Sequence, residues 1–551
     1  MKLPTHILHN GKGESFYLGF GAITLLIVIL VGCSDNLLQE EPKDFLNSDV
    51  VLINEEGFQS AINSLYMAAR AIFFREDGSK MYSLQIGTDV AMTGDRSLND
   101  FENYETWLTP TQTSVQIYWN RLYLEMIPRA NTIIEHADDE DVDWSSEEAK
   151  NRVVAEARFF RAYAHNFLTN LYGGIPVVDR IYNSPKTDFE RNTREEVYDF
   201  ARQDLEFASE WLPEEAPAPG RVTKAAADHL LTEVYISLEQ YENAIESASR
   251  VIDSPRYHLM RQRFGNYTDR PGDVYADLFK DENQSRAAGN MENIWALQFE
   301  HNTPGGTADN SQWYANGWQR AWGPKWWELQ DPDGNEGMQL TTDSLGRGVA
   351  WLRPTNYVVY TIWEDDPSDM RNSTYNIQRD YYYNNPESDY FGQKVDPETI
   401  NADTMVQYYP TIHKITAQNF PEGASYGRAF KDTYVMRLAE TYLLRAEAYY
   451  RNNNAVQAAE DINEVRGRAN ADPVDPADVN IEYILDERAR ELVVEEPRRL
   501  TLNRMERLVE EVREHNSESS GSIQEYHGLY PLPQSAIDAN TGTTLEQNPG
   551  Y

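Results

Sequence analysis

The feature that most constrains this fold is a pair of apolar stripes with helical spacing near the C-terminus. Apolar residues recur at steps of three and four between Thr433 and Tyr450, and the same spacing resumes from Ala455 to Ala469. The polar residues 451–454 separate the stripes, which predicts two helices joined by a short turn. A third helix is predicted from Ile481 to Val494. Small residues on the facing sides allow close approach of the first two helices: Ala439, Ala446, Ala448, Ala455, Ala458 and Ala459.

A second hairpin of the same kind is predicted earlier in the chain. Residues 223–252 carry two apolar stripes that face each other across Glu239 and Gln240. The Tyr-x-x-Ala-Ile spacing at Tyr241–Ile245 is typical of a tetratricopeptide unit. Hairpins on both sides of a long segment indicate a mostly α fold. We therefore expect a tetratricopeptide-like helical scaffold that holds a loop-rich insert, residues 253–431, with little β structure.

Several other segments have helical patterns with recognisable ends. The segments are Glu55–Arg70, Ser114–Ala137 with an interruption or kink near Pro128, a helix that ends at Gly173, and a helix that ends at Trp211. Ser145 with Glu148, and Thr193 with Glu196, have the spacing of capping boxes for the last two helices. Residues 81–113 show no sustained period, so we expect a long loop there, and long loops in compact domains are usually functional.

The insert is unusually rich in aromatic residues. Five of the twelve tryptophans lie between Trp313 and Trp327, in sequence without a helical stripe, and Tyr381, Tyr382 and Tyr383 follow later. Residues 294–299 could form a short strand. An aromatic cluster in loop-like sequence favours a binding surface, and the alternative is that the rings fill a core between loops.

The formal charge of −40 limits the classes of ligand. Proteins that bind the nucleic-acid backbone neutralise its phosphates with Lys and Arg, so no nucleic-acid partner is expected. The same charge disfavours docking on anionic lipid through a basic patch. A hydrophobic content of 40% with 12% aromatic residues indicates a folded chain.

The N-terminus has the pattern of a secretory signal. Two lysines precede an apolar run from Phe16 to Gly32, and the run ends in Leu30-Val-Gly-Cys33. This ending resembles the lipobox of bacterial lipoproteins, in which the cysteine thiol receives diacylglycerol. The resemblance implies a lipoprotein signal peptide over residues 1–32 and a lipid on Cys33, the only cysteine of the chain. An uncleaved membrane anchor is the alternative, because the run is near the shortest length that spans a bilayer.

The C-terminal half resembles the SusD/RagB lipoproteins. The resemblance is carried by Met436–Ala448, Asp461–Ala469, and Asp486–Leu492 with Glu496 and Arg498, which occur in the family's order. Further matching segments are Ala155–Ala162, Leu171–Pro176, Asp365–Arg371, Tyr530–Pro533 and Gln547–Tyr551. The segment Arg498–Arg504 departs from the pattern, since it has Thr-Leu-Asn where an Asp-Leu pair with a basic residue is usual. Asp365–Arg371 also fits a salt-bridged turn.

The resemblance implies an outer-membrane, lipid-anchored, surface-exposed protein that binds oligosaccharide or polysaccharide without catalysis. It implies delivery of the glycan to a partner, a SusC-like TonB-dependent transporter. On this view residues 33–252 form an N-terminal SusD-like helical region and residues 253–551 the C-terminal SusD/RagB region. No cofactor or metal is expected, and Asp331–Asn335 is interpreted as a turn because it lacks the glycine and glutamate of a calcium loop.

Two other classes of function stay open at this point. One is a secreted, lipid-anchored glycosidase on a helical scaffold, because carboxylate pairs cannot be located without the fold. The other is a helical-repeat scaffold that binds only protein, which the clustered loop tryptophans disfavour. No P-loop, nucleophile elbow, zincin motif or dinucleotide fingerprint occurs in the sequence.

The candidate glycan-binding residues come from two stretches that combine aromatic rings with polar neighbours. Sugar rings present C–H patches that lie flat on aromatic faces, while their hydroxyls need hydrogen-bond partners. The resemblance also implies a ligand surface drawn from the loops after the first helix and from the insert. The candidates are Asn99, Asn103, Tyr104 and Trp107 in the first stretch, and Trp313, Tyr314, Trp318 and Arg320 in the second.

Overall fold

Helices are the main secondary structure of the part of the chain that the structure describes. The computed structural model describes residues 51–74, 81–95, 102–182, 184–301, 303, 316–340, 345–417 and 429–551. The predicted signal peptide, residues 1–32, and Cys33 therefore lie outside the described residues. No helix within the described ranges is both long enough and apolar enough to cross a membrane.

The helices fall into three sets along the chain: an N-terminal set, those of the insert and a C-terminal set. The N-terminal set is α1 (Glu55–Phe74), α2 (Tyr104–Trp107), α3 (Thr113–Tyr118), a π-helix (Trp119–Met126), α4 (Ile127–His136), α5 (Glu147–Tyr172), α6 (Arg194–Trp211), α7 (Lys224–Ser237) and α8 (Tyr241–Ile252). The insert contains α9 (Val274–Leu278), α10 (Trp318–Trp322) and α11 (Asn356–Val359). The C-terminal set is α12 (Leu438–Arg451), α13 (Ala455–Arg468), α14 (Ile481–Leu492), α15 (Arg498–Arg504), α16 (Leu508–His515) and α17 (Gln534–Ala539).

The two predicted hairpins, α7–α8 and α12–α13, are present and pack against each other. His229 Nδ1 on α7 lies 2.8 Å from Thr441 Oγ1 on α12. Arg445 on α12 donates to Ser249 Oγ on α8 at 2.9 Å. Five of the six small residues predicted on the facing sides are buried, namely Ala439, Ala446, Ala448, Ala458 and Ala459. The mostly α fold with helical hairpins is confirmed.

The strands of the described part are few and short, as predicted. They are β1 (Ala91–Thr93), β2 (Asn293–Leu297), β3 (Leu352–Pro354), β4 (Ile377–Gln378), β5 (Thr411–Ile412) and β6 (Thr433–Arg437). They form three antiparallel pairs, β1 with β3, β2 with β6, and β4 with β5. The predicted strand over residues 294–299 is confirmed as β2.

The first C-terminal helix was predicted to begin too early. Residues 433–437 form β6, and α12 starts only at Leu438. Along β6 the side chains of Tyr434 and Met436 are buried while that of Val435 is half-buried, as on a strand. Residues 433–437 form a strand because they pair with β2, and Tyr, Val and Thr favour a strand when a partner strand is available.

The predicted N-cap of α5 needs correction, whereas the interruption predicted near Pro128 is present. The N-cap of α5 is Ser146, whose side chain accepts from the backbone N–H of Ala149, while Ser145 donates to Glu55 instead. The interruption expected near Pro128 is a π-helix that ends just before α4, and Pro128 lies in the first turn of α4. The capping box of Thr193 with Glu196 is confirmed.

The motifs that carry the family resemblance meet in a buried ion-pair network. Glu491 on α14 pairs with Arg371 at 3.0 Å, with Arg437 at 2.7 Å and with Arg468. Arg371 also pairs with Glu487 at 2.7 Å, and all five side chains are essentially inaccessible. Burial alone would raise the pKa of Glu487, but Arg371 and two other guanidinium groups lower it to about 2. These motifs therefore hold the scaffold together.

The segment Asp365–Arg371 is confirmed as a salt-bridged turn. Asp369 accepts from the backbone N–H of Arg371 at 2.9 Å and pairs with its guanidinium at 2.6 Å. A second buried cluster ties the N-terminal region to α15, because Arg498 pairs with Asp89 at 2.5 Å and with Glu496 at 3.4 Å. Ion pairs of this kind fix which segments meet, since a buried charge without its partner is costly.

Candidate functional site

The first predicted stretch is largely built into the core. Tyr104 and Trp107 on α2 are both 0% exposed. Trp107 donates its indole N–H to Ser114 Oγ at 2.9 Å, and the guanidinium carbon of Arg499 lies 4.8 Å from the centre of its ring system. Tyr104 accepts from Arg499 at 3.0 Å. Neither ring presents a face to solvent, so in this structure they stabilise the junction between α2 and α15 rather than offering a stacking surface.

Asn103 also has a structural role. Its side-chain oxygen accepts from the backbone N–H groups of Glu105 at 2.9 Å and Thr106 at 3.3 Å, so it is the N-cap of α2. Asn99 lies outside the described residues.

The second predicted stretch is described only in part. Trp313 and Tyr314 lie outside the described residues. Trp318 is buried at the start of α10, where its backbone N–H donates to Asn316 Oδ1 at 3.0 Å. Arg320 is half-buried, and its guanidinium carbon lies 5.7 Å from the centre of the Trp351 ring system. Of these residues, Arg320 is the more accessible to a ligand.

Exposed aromatic rings concentrate elsewhere in the insert. Among the described residues, four of the five exposed aromatic side chains lie between positions 360 and 391: Tyr360, Tyr375, Tyr382 and Phe391. Large apolar rings are usually covered by the fold, and a local group of uncovered rings is typical of a binding surface. This group of rings indicates a binding surface in the insert.

Two of these rings line a cavity of about 370 Å³, which we call the tyrosine cavity. Tyr375 is 43% exposed and Tyr382 is 54% exposed. The cavity is lined by Lys280, Trp326, Met338, Leu345, Thr374, Tyr375, Gln378, Tyr381, Tyr382, Asn384, His413 and Thr416. Its volume falls within the range of small-molecule sites, and its lining mixes aromatic rings with a few polar groups, as such sites do.

The walls of the tyrosine cavity are held by buried hydrogen bonds. Tyr381 lies beneath the surface, with its hydroxyl 2.8 Å from Thr411 Oγ1 next to the β4–β5 pair. Trp326 donates its indole N–H to the carbonyl of Gly346 at 2.9 Å. Gln319 on α10 donates to the carbonyl of Leu345 at 2.8 Å. The cavity is therefore preformed, and the predicted segment around Trp318 supports one of its walls.

The ionisable side chains of the cavity wall include Lys280 and His413 but no Asp or Glu, although the chain as a whole is acidic. Burial lowers the pKa of Lys280, and the charges of Asp277, Asp281 and Asp273 oppose this shift. Burial, together with the charges of Lys280 and Lys431, lowers the pKa of His413 to about 4, so this imidazole is neutral at pH 7. Lys431 lies behind the cavity wall and donates to the carbonyls of Phe279, Lys414 and Thr416 at 3.0, 2.7 and 2.7 Å.

Of the two exposed tyrosines in the cavity, Tyr382 could have been found from the sequence. In the run Tyr381-Tyr382-Tyr383 the outer two side chains are buried and the middle one is exposed, which is the alternation of extended chain. A period-two interpretation of the run would have singled out Tyr382. Tyr375 carries no such local signal, because its exposure depends on how the turn before β4 is packed.

No cluster of metal-ligating side chains is found in the part of the chain that the structure describes. The cavity lining contains one imidazole and no carboxyl group, and it contains no cysteine. Its chemistry suits recognition through stacking and hydrogen bonds.

Comparison with known proteins finds two matching family models. One, described as the SusD family, matches residues 291–551. The other, described as "Starch-binding associating with outer membrane", matches residues 38–236. Together the two models account for most of the chain.

Individual relatives give the same result, two of them over most of their length. A SusD-like protein P25 of Formosa agariphila is 24% identical over 94% of this chain and 96% of its own. The starch-binding protein SusD of Bacteroides thetaiotaomicron is 26% identical over 73% of each chain. A SusD-like protein P2 of Formosa agariphila is 30% identical, but the match covers only 42% of this chain and 45% of its own.

Solved structures share the fold. A laminarin binding SusD-like protein superimposes with a TM-score of 0.69 at 22% identity, covering 90% of this chain and all of that one. The surface glycan-binding protein A of Bacteroides thetaiotaomicron, in complex with laminarihexaose, gives 0.67 at 20% identity, covering 90% of this chain and 99% of its own.

Proposed function

This chain is a member of the SusD family, and on that premise we propose that it is a non-catalytic glycan-binding lipoprotein of the outer membrane that delivers oligosaccharide to a SusC-like TonB-dependent transporter. The observation that carries the proposal is the pair of exposed rings, Tyr375 and Tyr382, on a cavity with polar neighbours. Relatives named for starch and laminarin binding support carbohydrate as the ligand class.

The tyrosine cavity is the proposed contact for one or more sugar rings. A tyrosine face stacks on the C–H side of a pyranose, and Gln378, Asn384 and Thr374 offer hydrogen-bond groups to its hydroxyls. Arg320 is proposed as a further glycan contact, and Asn99, Trp313 and Tyr314, which lie outside the described residues, stay candidates from the sequence. Asn103, Tyr104, Trp107 and Trp318 are assigned a supporting role in the fold.

The glycosidase alternative lacks support at this cavity. Glycoside hydrolysis uses two carboxyl groups on either side of the scissile bond, about 5 to 9.5 Å apart. None of the residues that line the tyrosine cavity is Asp or Glu. We therefore propose binding without bond cleavage.

Binding and catalysis can be tested together with the full-length protein in mild detergent. We expect at least one glycan of a broad panel to bind and no reducing ends to be released on long incubation. Release of reducing ends would overturn the non-catalytic assignment, and failure to bind any member of the panel would overturn carbohydrate binding.

A ring substitution tests the proposed contact. Tyr382→Ala should weaken binding of that glycan about 2- to 10-fold, because one stacked ring contributes about 0.5–1.5 kcal/mol. The unfolding midpoint should stay nearly unchanged, because the ring is already exposed. Tyr182→Ala is the matched control, since Tyr182 is also exposed and does not line the cavity. Equal affinities for the parent and both variants would place the glycan elsewhere.

The anchor and the partner need separate tests. Cys33→Ser should release the protein from membranes or leave the precursor unprocessed, because a serine hydroxyl cannot form the thioether to the lipid. Purification of the parent from native membranes should also yield a large β-barrel protein. Unchanged membrane partition of the variant would contradict the anchor, and repeated recovery of the lipoprotein alone would contradict the transporter partner.

A further inference from the structure

Lys280 lies on the wall of the tyrosine cavity, where the charges of Asp277, Asp281 and Asp273 act on it without a direct ion pair. Its ammonium group has no hydrogen-bond or ion-pair partner within the described residues, although the chain has 89 acidic residues against 49 basic ones. With carboxylates in such excess, most cations in the fold lie in ion pairs. A lysine that makes no direct ion pair in a cavity is therefore available to bind an anionic group from outside the chain.

The carboxylates nearest to Lys280 are already engaged. Asp277 pairs with Arg263 and also accepts from the backbone N–H of Phe264 at 3.3 Å. Asp273 accepts from Ser373 Oγ at 2.7 Å and from the Asn376 side chain at 3.0 Å. Asp281, the third nearby acid, has an interaction of its own. The fold thus holds Asp277 and Asp273 through other contacts, and neither of them pairs directly with the ammonium group.

The groups beside Lys280 add no negative charge to the cavity. His413 is neutral at pH 7, and Lys431, behind the wall, donates to three main-chain carbonyls. The remaining lining groups are aromatic, amide, hydroxyl or aliphatic. No Asp or Glu side chain lines the cavity, so Lys280 meets no carboxylate of the chain within it.

We infer that the tyrosine cavity takes an anionic sugar, with its carboxylate or sulfate group on Lys280 and its ring on Tyr375 or Tyr382. This inference rests on the proposed function and narrows its substrate class to acidic glycans. Two chemical sources of the charge are possible, a uronic acid and a sulfate ester, and both offer oxygens to an ammonium donor. A hydrogen bond between charged groups is stronger than a neutral one, so the anion contributes to affinity as well as to selectivity.

The test compares matched glycans on the full-length protein in mild detergent. The probes are polygalacturonate and its carboxyl-reduced form, a sulfated galactan and its desulfated form, and the neutral glycans of the panel. We expect one of the two charged polymers to bind the parent at least about tenfold more tightly than its neutral counterpart. Which pair shows the difference identifies the carboxylate or the sulfate as the recognised group.

Substitutions at Lys280 assign the effect to this residue. Lys280→Gln should lose the preference for the charged polymer, and Lys280→Arg should retain most of it. Lys224→Gln removes the same charge outside the cavity and should behave as the parent. Unfolding midpoints measured on all three variants show whether a loss of binding reflects a loss of folding, and the arginine variant keeps the test informative if the glutamine variant unfolds.

Failure of the inference is distinguishable from failure of the proposed function. If a neutral glycan binds, Tyr382→Ala weakens it and Lys280→Gln does not change any affinity, the anionic assignment is overturned while carbohydrate binding stands. If the parent binds no glycan of either kind, the proposed function fails and the inference fails with it. Loss of the charge preference in Lys280→Gln with retention in Lys280→Arg supports both.

Discussion

The contribution of Glu511 to the free energy of unfolding should decrease as pH rises. Glu511 lies on α16 with a buried carboxyl group, next to Asp89 and Asp486. Burial, followed by the charge of Asp89, raises its pKa from 4.5 to about 8, and the attraction of Arg498 and Arg507 offsets only part of this shift. His515 Nε2 lies 3.8 Å from the carboxylate. The carboxyl group is therefore protonated in the folded protein at neutral pH.

The sign and size of the effect follow from the two pKa values. A group whose pKa is raised in the folded state stabilises the protein below its unfolded pKa, and this contribution is lost as pH rises to the folded pKa. The window is therefore pH 4.5 to about 8. A shift of about 3.5 units corresponds to about 5 kcal/mol, at 1.36 kcal/mol per unit. Against a typical total of about 5–15 kcal/mol this is a large loss.

Glu511→Gln removes the titration while keeping the size and polarity of the side chain. We expect the variant to match the parent closely at pH 5 and to exceed its urea midpoint clearly at pH 9. Other groups that titrate, such as Lys414 and Lys431, are common to both proteins and cancel in the difference. Glu510→Gln is the control, because Glu510 is exposed on the same helix and pairs with Arg507 at the surface. Midpoints of parent and Glu511→Gln that fall in parallel from pH 5 to pH 9 would refute the reasoning.

Two substitutions separate core residues from surface residues. Trp107→Ala should destabilise the protein by about 3–5 kcal/mol, as expected for a fully buried aromatic ring. Phe391→Ala should leave the urea midpoint nearly unchanged, because Phe391 is exposed. Equal midpoints for the two variants would contradict the assigned burial. Glu491→Gln should destabilise by about 3–5 kcal/mol, because it leaves Arg371, Arg437 and Arg468 without their shared carboxylate, and a midpoint within error of the parent would show that the network contributes little.

Much of the fold could be predicted because its main signal is local. The two hairpins are predicted from apolar residues at steps of three and four, and each stripe can be recognised from a short stretch of sequence alone. The strand β6 was missed for the opposite reason. Its identity depends on β2, which is far away in the chain, and a five-residue segment before a helix fits either period. The shift of the N-cap from Ser145 to Ser146 is within the usual uncertainty of helix boundaries.

The site was harder to predict because burial is not a local property. Trp107 and Trp318 lie among Asn, Asp and Gly in sequence that resembles loop, yet other elements cover both rings. Tyr375 and Tyr382 lie in similar sequence and stay exposed. The buried and the exposed rings differ in which distant elements cover them, such as Arg499 and Ser114 at Trp107. The composition of a short stretch of sequence does not contain that information.

The motifs by which this chain is recognised therefore report on its scaffold, and the ligand depends on residues outside them. Arg371 is fixed by Glu487 and Glu491, and the chain leaves that turn directly into the wall of the tyrosine cavity. Asn376, just after the turn, donates to the carbonyl of Met370 at 2.8 Å and accepts from the backbone N–H of His413. The buried network thus positions the backbone of the cavity without supplying any of the side chains that face a ligand. Substitutions at Tyr375, Tyr382 or Lys280 should consequently change what is bound while leaving the network, and with it the fold, intact.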